Sequence, residues 1–90
     1  MAVTETVRMS FTGRFVPPSF LEFVDRRAAR LDLDVSIKSA DARRVAVEIS
    51  GQPDLIDAFE MACSLGPLDC MVLDCERAIV RTRKMENGHQ

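Results

Sequence analysis

The sequence predicts an α+β sandwich with strands and helices in the order β-α-β-β-α-β. Apolar residues at alternate positions mark a first strand over residues 3–11 and two more near residues 35–37 and 45–49. Between them, apolar residues spaced three and four apart indicate two amphipathic helices. This order is that of the ferredoxin-like fold, a four-stranded antiparallel sheet with two helices on one face.

The first helix follows a loop that begins at Gly13 and contains a pair of prolines. Ser19 is the predicted N-cap, because Glu22 three positions later completes a capping box. The helix is expected to end near residues 31–32. Its predicted buried face consists of Phe20, Phe23, Val24, Ala28 and Leu31.

The second helix follows the third strand. The polar stretch at residues 39–44 is predicted to join the second and third strands as a hairpin. Pro53 suits the first turn of the second helix, and Gly66 with Pro67 ends it. The predicted buried face of this helix consists of Leu55, Ala58, Phe59, Ala62 and Leu65.

The chain has the size and composition of one small globular domain. It has 90 residues, of which 47% are apolar and 29% are charged. A last strand is expected over about residues 70–80, and residues 81–90 are polar and expected to fray. The domain is predicted to comprise residues 1–84, with residues 85–90 as a flexible C-terminal tail.

Charge and hydropathy exclude two classes of partner. The net charge of −2 argues against a dedicated nucleic-acid binder, which needs a basic face. No apolar run approaches the roughly 18 residues of a membrane span. Residues 1–5 lack the basic and apolar regions of a signal peptide. These features predict a cytoplasmic protein that binds neither nucleic acid nor membranes.

The cysteines predict reduced thiols and no metal site. Cys63, Cys70 and Cys75 lack CxxC spacing, and the only histidine is His89 near the C-terminus. A Cys–His or Ser–His dyad is therefore not expected. We expect neither a metal nor a cofactor.

The predicted open face of the sheet excludes two further functions of this fold. An RNA-recognition module needs aromatic side chains there for base stacking, and a copper chaperone needs CxxC in the first strand-to-helix loop. Neither is present. The outward positions are Thr4, Thr6, Arg8, Ser10, Ser36, Lys38, Ala46, Glu48 and Ser50.

The strand-to-helix loop at residues 13–21 is the main candidate functional site. Such loops commonly bind anions, because backbone N–H groups and the helix dipole converge there. Pro17 and Pro18, however, have no N–H to donate. The loop thus lies where anions commonly bind but has few backbone N–H groups to donate.

From about residue 7 to residue 80, the chain resembles the acylphosphatase family. Gly13 and Arg14, with Phe20 and Leu21, are similar to the family's loop motif Gly-Arg-Val-Gln-Gly-Val-(Gly/Tyr)-Phe-Arg. The resemblance continues in order through three further segments: residues 29–33 for "A-x-x-L-G-L", residues 45–51 for "V-x-A-x-x-x-G" and residues 66–67 for "G-P". It implies the ferredoxin-like fold.

The resemblance also implies where the chemistry would lie. In the family, loop amides and the last arginine of the motif bind the phosphate, and an asparagine orients the attacking water. The matching positions here are Leu21 and Ser39, which lack the charge and the amide. Pro17 and Pro18 replace residues whose amides belong to the phosphate site. The expected protein is therefore a catalytically inactive acylphosphatase-like domain that serves as a small binding or structural module.

A divergent acylphosphatase that hydrolyses acyl phosphates is the alternative, and it would use Arg14, Lys38 and Ser39. The predicted partner of the inactive module is a protein or a small anionic ligand. The chain is expected to be a monomer or a weak dimer formed through its second or last strand. The candidate ligand-binding residues are Arg14, Phe15, Val16, Ser19, Phe20, Lys38 and Ser39.

Overall fold

A computed structural model describes residues 3–84 and confirms the predicted order of elements. The four strands form one antiparallel sheet in the order β2-β3-β1-β4. The predicted tail at residues 85–90, with His89, lies outside the described residues. The elements are β1 Val3–Arg14, α1 Pro17–Arg30, β2 Asp34–Ala40, β3 Arg44–Gly51, α2 Pro53–Leu65 and β4 Met71–Lys84.

A single hydrophobic core lies between one face of the sheet and both helices. The alternating residues of β1 and β3 supply the sheet side, because successive side chains of a strand point to opposite faces. α1 contributes Phe20, Val24 and Ala28, as its spacing predicts. No helix in the described part of the chain is long and apolar enough to cross a membrane. The fully buried side chains of the sheet are Val7, Met9, Phe11, Val45, Val47 and Ile49.

The predicted capping box at the start of α1 is wrong. The helix begins two residues earlier, at Pro17, and its N-cap is Val16, which makes no side-chain capping bond. Pro17 and Pro18 are its first two residues, because proline has a helical φ and the N–H it lacks would have no partner there. Ser19 is thus inside the first turn, and its hydroxyl bonds to another segment.

The predicted buried face of α2 is partly wrong. Ile56, Phe59 and Cys63 are its fully buried residues, whereas Leu65 is 81% exposed and Ala58 is exposed. These three buried residues have the same helical spacing, shifted around the axis from the predicted set. The helix sequence offers two adjacent apolar stripes, and the sheet covers only one of them.

The strand ends also differ from the prediction. β4 continues to Lys84 and does not fray from Arg81, because its last residues pair with residues 3–6 of β1. The hairpin connection is shorter than predicted, since β2 continues to Ala40 and β3 begins at Arg44. In this turn, the N–H groups of Arg43 and Arg44 donate to the Asp41 carboxylate and hold its pKa below the usual value.

Asp32 is expected to limit stability, because it has a left-handed φ of 57° just after the C-cap of α1. Glycine adopts this conformation without the steric cost of a Cβ atom. We expect Asp32→Gly to raise the free energy of unfolding by about 0.5–1 kcal/mol, measured by urea denaturation. The matched control Asp34→Gly, inside β2, should lower it. A less stable Asp32→Gly protein would contradict this expectation.

Candidate functional site

The candidate site is the segment from Gly13 to Phe20, which joins β1 to α1. Its aromatic residues hold it against the core, since Phe15 is 6% exposed and Phe20 is fully buried. The Phe15 and Phe20 rings pack edge to face with centroids 4.7 Å apart, and Phe11 packs on Phe20 at 5.6 Å. Such pairs stabilise by about 0.5–1.5 kcal/mol beyond their buried area. Both predicted ligand-binding phenylalanines therefore serve as core anchors of the loop.

Three N–H groups of this segment donate to other parts of the protein. Gly13 donates to the Arg43 carbonyl at 3.0 Å, and Phe15 donates to the Ala42 carbonyl at 2.8 Å. These two bonds join the segment to the β2–β3 turn. The N–H of Val16 donates to the Cys70 sulfur at 3.4 Å. The segment therefore uses these donors internally, and an anion cannot take them without breaking those bonds.

An internal carboxylate lies at the start of α1. The Ser19 hydroxyl donates to the Asp69 carboxylate at 2.9 Å. Ser19 is the third residue of the helix, where the helix dipole favours a negative charge. Asp69 thus supplies, from within the chain, the negative charge that such a helix start attracts. It would also repel a second anion.

The three thiols are poor nucleophiles. Burial raises the pKa of Cys63 to about 12, and burial together with the Glu60 carboxylate raises the pKa of Cys75 to about 12. Burial also raises the pKa of Cys70, whose thiol lies 3.9 Å from the Val16 carbonyl oxygen. Because the thiolate is the reactive form, these raised pKa values disfavour nucleophilic reaction of the three thiols at neutral pH.

Two residues at the positions highlighted by the family resemblance lie near the loop. Leu21 is half-buried and packs against the core, so it offers neither charge nor donor. Arg14 is exposed and lines a cleft of about 590 Å³ together with Arg43. The cleft is completed by Gly13, Phe15, Ala42 and Leu73. Two residues with permanently charged side chains thus line the same cleft beside the loop.

Lys38 and Ser39 do not line this cleft. Lys38 reaches across the open face of the sheet to Glu48, with 3.9 Å between ammonium nitrogen and carboxylate oxygen. Arg8 also bonds to Glu48, and this bond holds the pKa of Glu48 below its usual value. Ser39 lies opposite Ala46 in the β2–β3 register, just after an irregularity in β2. The positive charge of Lys38 is therefore engaged by Glu48.

Sequence reasoning missed Asp69, Cys70 and Arg43, which contact the segment or line its cleft. Asp69 and Cys70 come from the connection between α2 and β4, about 50 residues along the chain from their partners. No local periodicity indicates such a contact. Among residues 3–84, no group of three or more histidine, cysteine, aspartate or glutamate side chains could hold a metal ion.

Comparison with solved structures identifies the fold. An acylphosphatase from Coxiella burnetii is similar with a TM-score of 0.79 and 18% identity, covering 93% of this chain and 88% of that one. An acylphosphatase from Bacillus subtilis has a TM-score of 0.74 and 24% identity, covering 93% and 90%. Full-length HypF, in a phosphate- and nucleotide-bound form, is similar with a TM-score of 0.75 and 17% identity. The match covers 86% of this chain and 10% of the HypF chain.

The chain therefore has the acylphosphatase-like form of the ferredoxin-like fold, as the sequence resemblance implies. No protein-family model matches it, and no curated protein matches it in sequence. At these identities the likeness is one of fold. Because one fold hosts many activities, the function has to be argued from the residues of the segment.

Proposed function

We propose that this protein is a non-catalytic acylphosphatase-like domain that acts as a small binding module. The observation that carries the proposal is the internal bonding of the Gly13–Phe20 segment. Its donors at Gly13, Phe15 and Val16 bond to protein acceptors, and the Asp69 carboxylate lies at the start of α1. A phosphate would have to break these bonds and approach a fixed negative charge.

The transition-state stabilisation lost with these missing donors supports an inactive site. Removing one preorganised donor from an oxyanion site typically costs about 3–4 kcal/mol in the transition state. Here Leu21 stands where the family resemblance implies an arginine, and Pro17 and Pro18 provide no N–H. These changes act on the same developing charge, so their combined effect leaves too little stabilisation for turnover.

The proposed partner is a protein or a small anionic ligand. The feature that favours an anionic group is the cleft lined by Arg14 and Arg43, which adjoins the loop but does not depend on its amides. Guanidinium groups bind carboxylates and phosphates through paired N–H donors. Binding there needs no rearrangement of the Gly13–Phe20 segment.

We expect the purified protein to hydrolyse benzoyl phosphate no faster than buffer does. We expect Leu21→Arg to leave this rate unchanged, because the amides of Gly13, Phe15 and Val16 would still bond internally and Pro17 and Pro18 would still have no N–H. The measurement is the loss of benzoyl phosphate absorbance at neutral pH. A circular dichroism spectrum matching that of the unsubstituted protein would establish that the variant is folded.

Hydrolysis well above buffer that is lost in Arg14→Ala would contradict the proposal. The matched control is Arg26→Ala on α1, where Arg26 pairs with Glu22 at 3.1 Å. Activity that survives Arg26→Ala but not Arg14→Ala would favour the alternative, a divergent acylphosphatase that uses Arg14, Lys38 and Ser39. Saturable amide shifts confined to residues 14–21 and 37–39 during phosphate titration would favour it as well.

A further inference from the structure

The last strand forms one edge of the sheet and is its longest element. β4 has 14 residues, and within residues 3–84 it pairs only with β1. Its other edge therefore presents a row of backbone N–H and C=O groups. Such an edge is a template for pairing with another strand unless charge, proline or a covering element blocks it. β4 contains no proline, but six of its 14 residues are charged, so the arrangement of these charges decides whether the edge can pair.

The exposed apolar side chains of the described residues concentrate around this strand. Leu65 at the end of α2 is 81% exposed, and Ile79 in β4 is 63% exposed. Elsewhere in residues 3–84, only Val16 and Ile37 are large apolar residues with comparable exposure. Concentrated apolar exposure marks an interaction surface. The other members of the set are Met61, Leu68, Met71, Leu73 and Val80.

The charges on β4 differ in whether they have a partner. Arg77 is neutralised by Asp57 at 2.8 Å and Glu60 at 2.7 Å. Within the part of the chain that the structure describes, Glu76 and Arg81 form no salt bridge. Both lie on the open face of the sheet, since Glu76 adjoins Arg8 and Ser10, and Arg81 adjoins Thr6 and Ser50. Arg81 also acts electrostatically on Glu48, but among the described residues neither Glu76 nor Arg81 is held in an ion pair, so these two opposite charges can pair across an interface.

The strand register shows where these charges would meet in a pair of identical strands. β4 bulges at Val80, because Thr6 lies opposite Arg81 while Val7 lies opposite Ile79. In a twofold antiparallel pair, the residue on the axis lies opposite the same residue of the second copy. An axis at Glu76 therefore brings two carboxylates together, and an axis at Arg77 brings two guanidinium groups together. An axis at Ala78 instead places Glu76 of each copy opposite Arg81 of the other, because the bulged residue Val80 is skipped in the pairing. The dimer then contains two such opposite-charge pairs. Like charges directly opposite are destabilising and opposite charges stabilising, so the charge pattern favours Ala78 among these three registers.

We propose that the chain forms a twofold dimer in which β4 pairs antiparallel with β4 of a second copy, centred on Ala78. The two four-stranded sheets then form one continuous eight-stranded sheet. The small Ala78 side chains meet at the axis, and the two Glu76–Arg81 pairs flank it on the open face. On the helix side, Arg77 lies opposite Ile79 of the second copy. Such an interface is isologous, so it closes at the dimer.

The opposite edge of the sheet is less suited to pairing. β2 has 7 residues, half the length of β4. Its only large exposed apolar residue is Ile37, and the charge of its Lys38 is engaged by Glu48. β2 also carries opposite charges, Asp34 and Lys38, but it is the shorter edge, it has less apolar exposure than β4, and its Lys38 is already engaged by Glu48.

Sedimentation equilibrium of charge-swap variants tests this dimer. We expect the unsubstituted protein to show reversible dimerisation between about 10 µM and about 1 mM, as suits a small interface. Glu76→Arg or Arg81→Glu alone should weaken it about tenfold or more, because each change replaces two opposite-charge pairs with two like-charge contacts. The double variant Glu76→Arg/Arg81→Glu should restore dimerisation. The matched control Asp25→Arg, exposed on α1, should leave it unchanged.

Three results would overturn the proposal. A monomer throughout the concentration range would leave β4 open to a strand of a different protein. A dimer that neither single variant weakens would lie on another surface. A double variant that remains monomeric, while each single variant is folded by circular dichroism, would exclude the register centred on Ala78. Restored dimerisation in the double variant is the result that supports this pairing.

Discussion

Replacing Phe20 with alanine is expected to lower the free energy of unfolding by about 3–5 kcal/mol. Phe20 is fully buried at the start of α1, and its ring packs on Phe11 and Phe15. Truncation leaves a cavity where β1, the loop and α1 meet. Because small domains have stabilities of about 5–15 kcal/mol, this single change removes a large share of the total. Urea denaturation followed by circular dichroism measures it.

A second phenylalanine on the same helix provides the control for that experiment. Phe23 is only half-buried, and its ring contacts the Arg27 guanidinium at 5.7 Å. Phe23→Ala should therefore cost about 1–2 kcal/mol, since it removes less apolar area from the core. If Phe20→Ala lowered the free energy of unfolding no more than Phe23→Ala does, the loop would not depend on its aromatic anchor.

We expect Gly13→Ala to lower the free energy of unfolding by about 2–4 kcal/mol. A Cβ atom at Gly13 would lie 2.0 Å from the Met71 carbonyl oxygen and 3.0 Å from the Leu73 nitrogen. Both are backbone atoms of β4, so no side-chain rotation relieves the contact. β1 and β4 would have to separate at the irregularity between Thr12 and Gly13, where the loop begins.

Thr12→Ala is the matched control for Gly13→Ala, because Thr12 is the exposed neighbour in the same strand. It should change stability by about 0.5 kcal/mol or less, as is usual for surface positions. Thermal unfolding of the unsubstituted protein, Gly13→Ala and Thr12→Ala, measured side by side, distinguishes the backbone clash at Gly13 from the effect of a surface substitution. A Gly13→Ala protein as stable as Thr12→Ala would show that β1 and β4 do not need their close approach.

Local patterns in the sequence account for most of the fold. Alternation predicts β1 and β3 correctly, since one buried face imposes a period of two on each strand. Helical spacing predicts the buried residues of α1 equally well. In α2 the prediction is partly wrong. The helix has two apolar stripes, one that includes Leu65 and one that includes Ile56, and only packing against the sheet decides which stripe is buried. The predicted helix start at Ser19 is wrong because proline suits a helix start as well as a strand end.

The sequence by itself determined the order of the elements and the ferredoxin-like fold. Each depends on residue type or on spacing within one element. Only the tertiary structure decided that the N–H groups of Gly13, Phe15 and Val16 bond internally and that Asp69 lies at the start of α1. It also decided that Arg43, and not Lys38, shares a cleft with Arg14. The physical reason is that these contacts join residues far apart in the chain, whose positions follow from strand register and loop geometry.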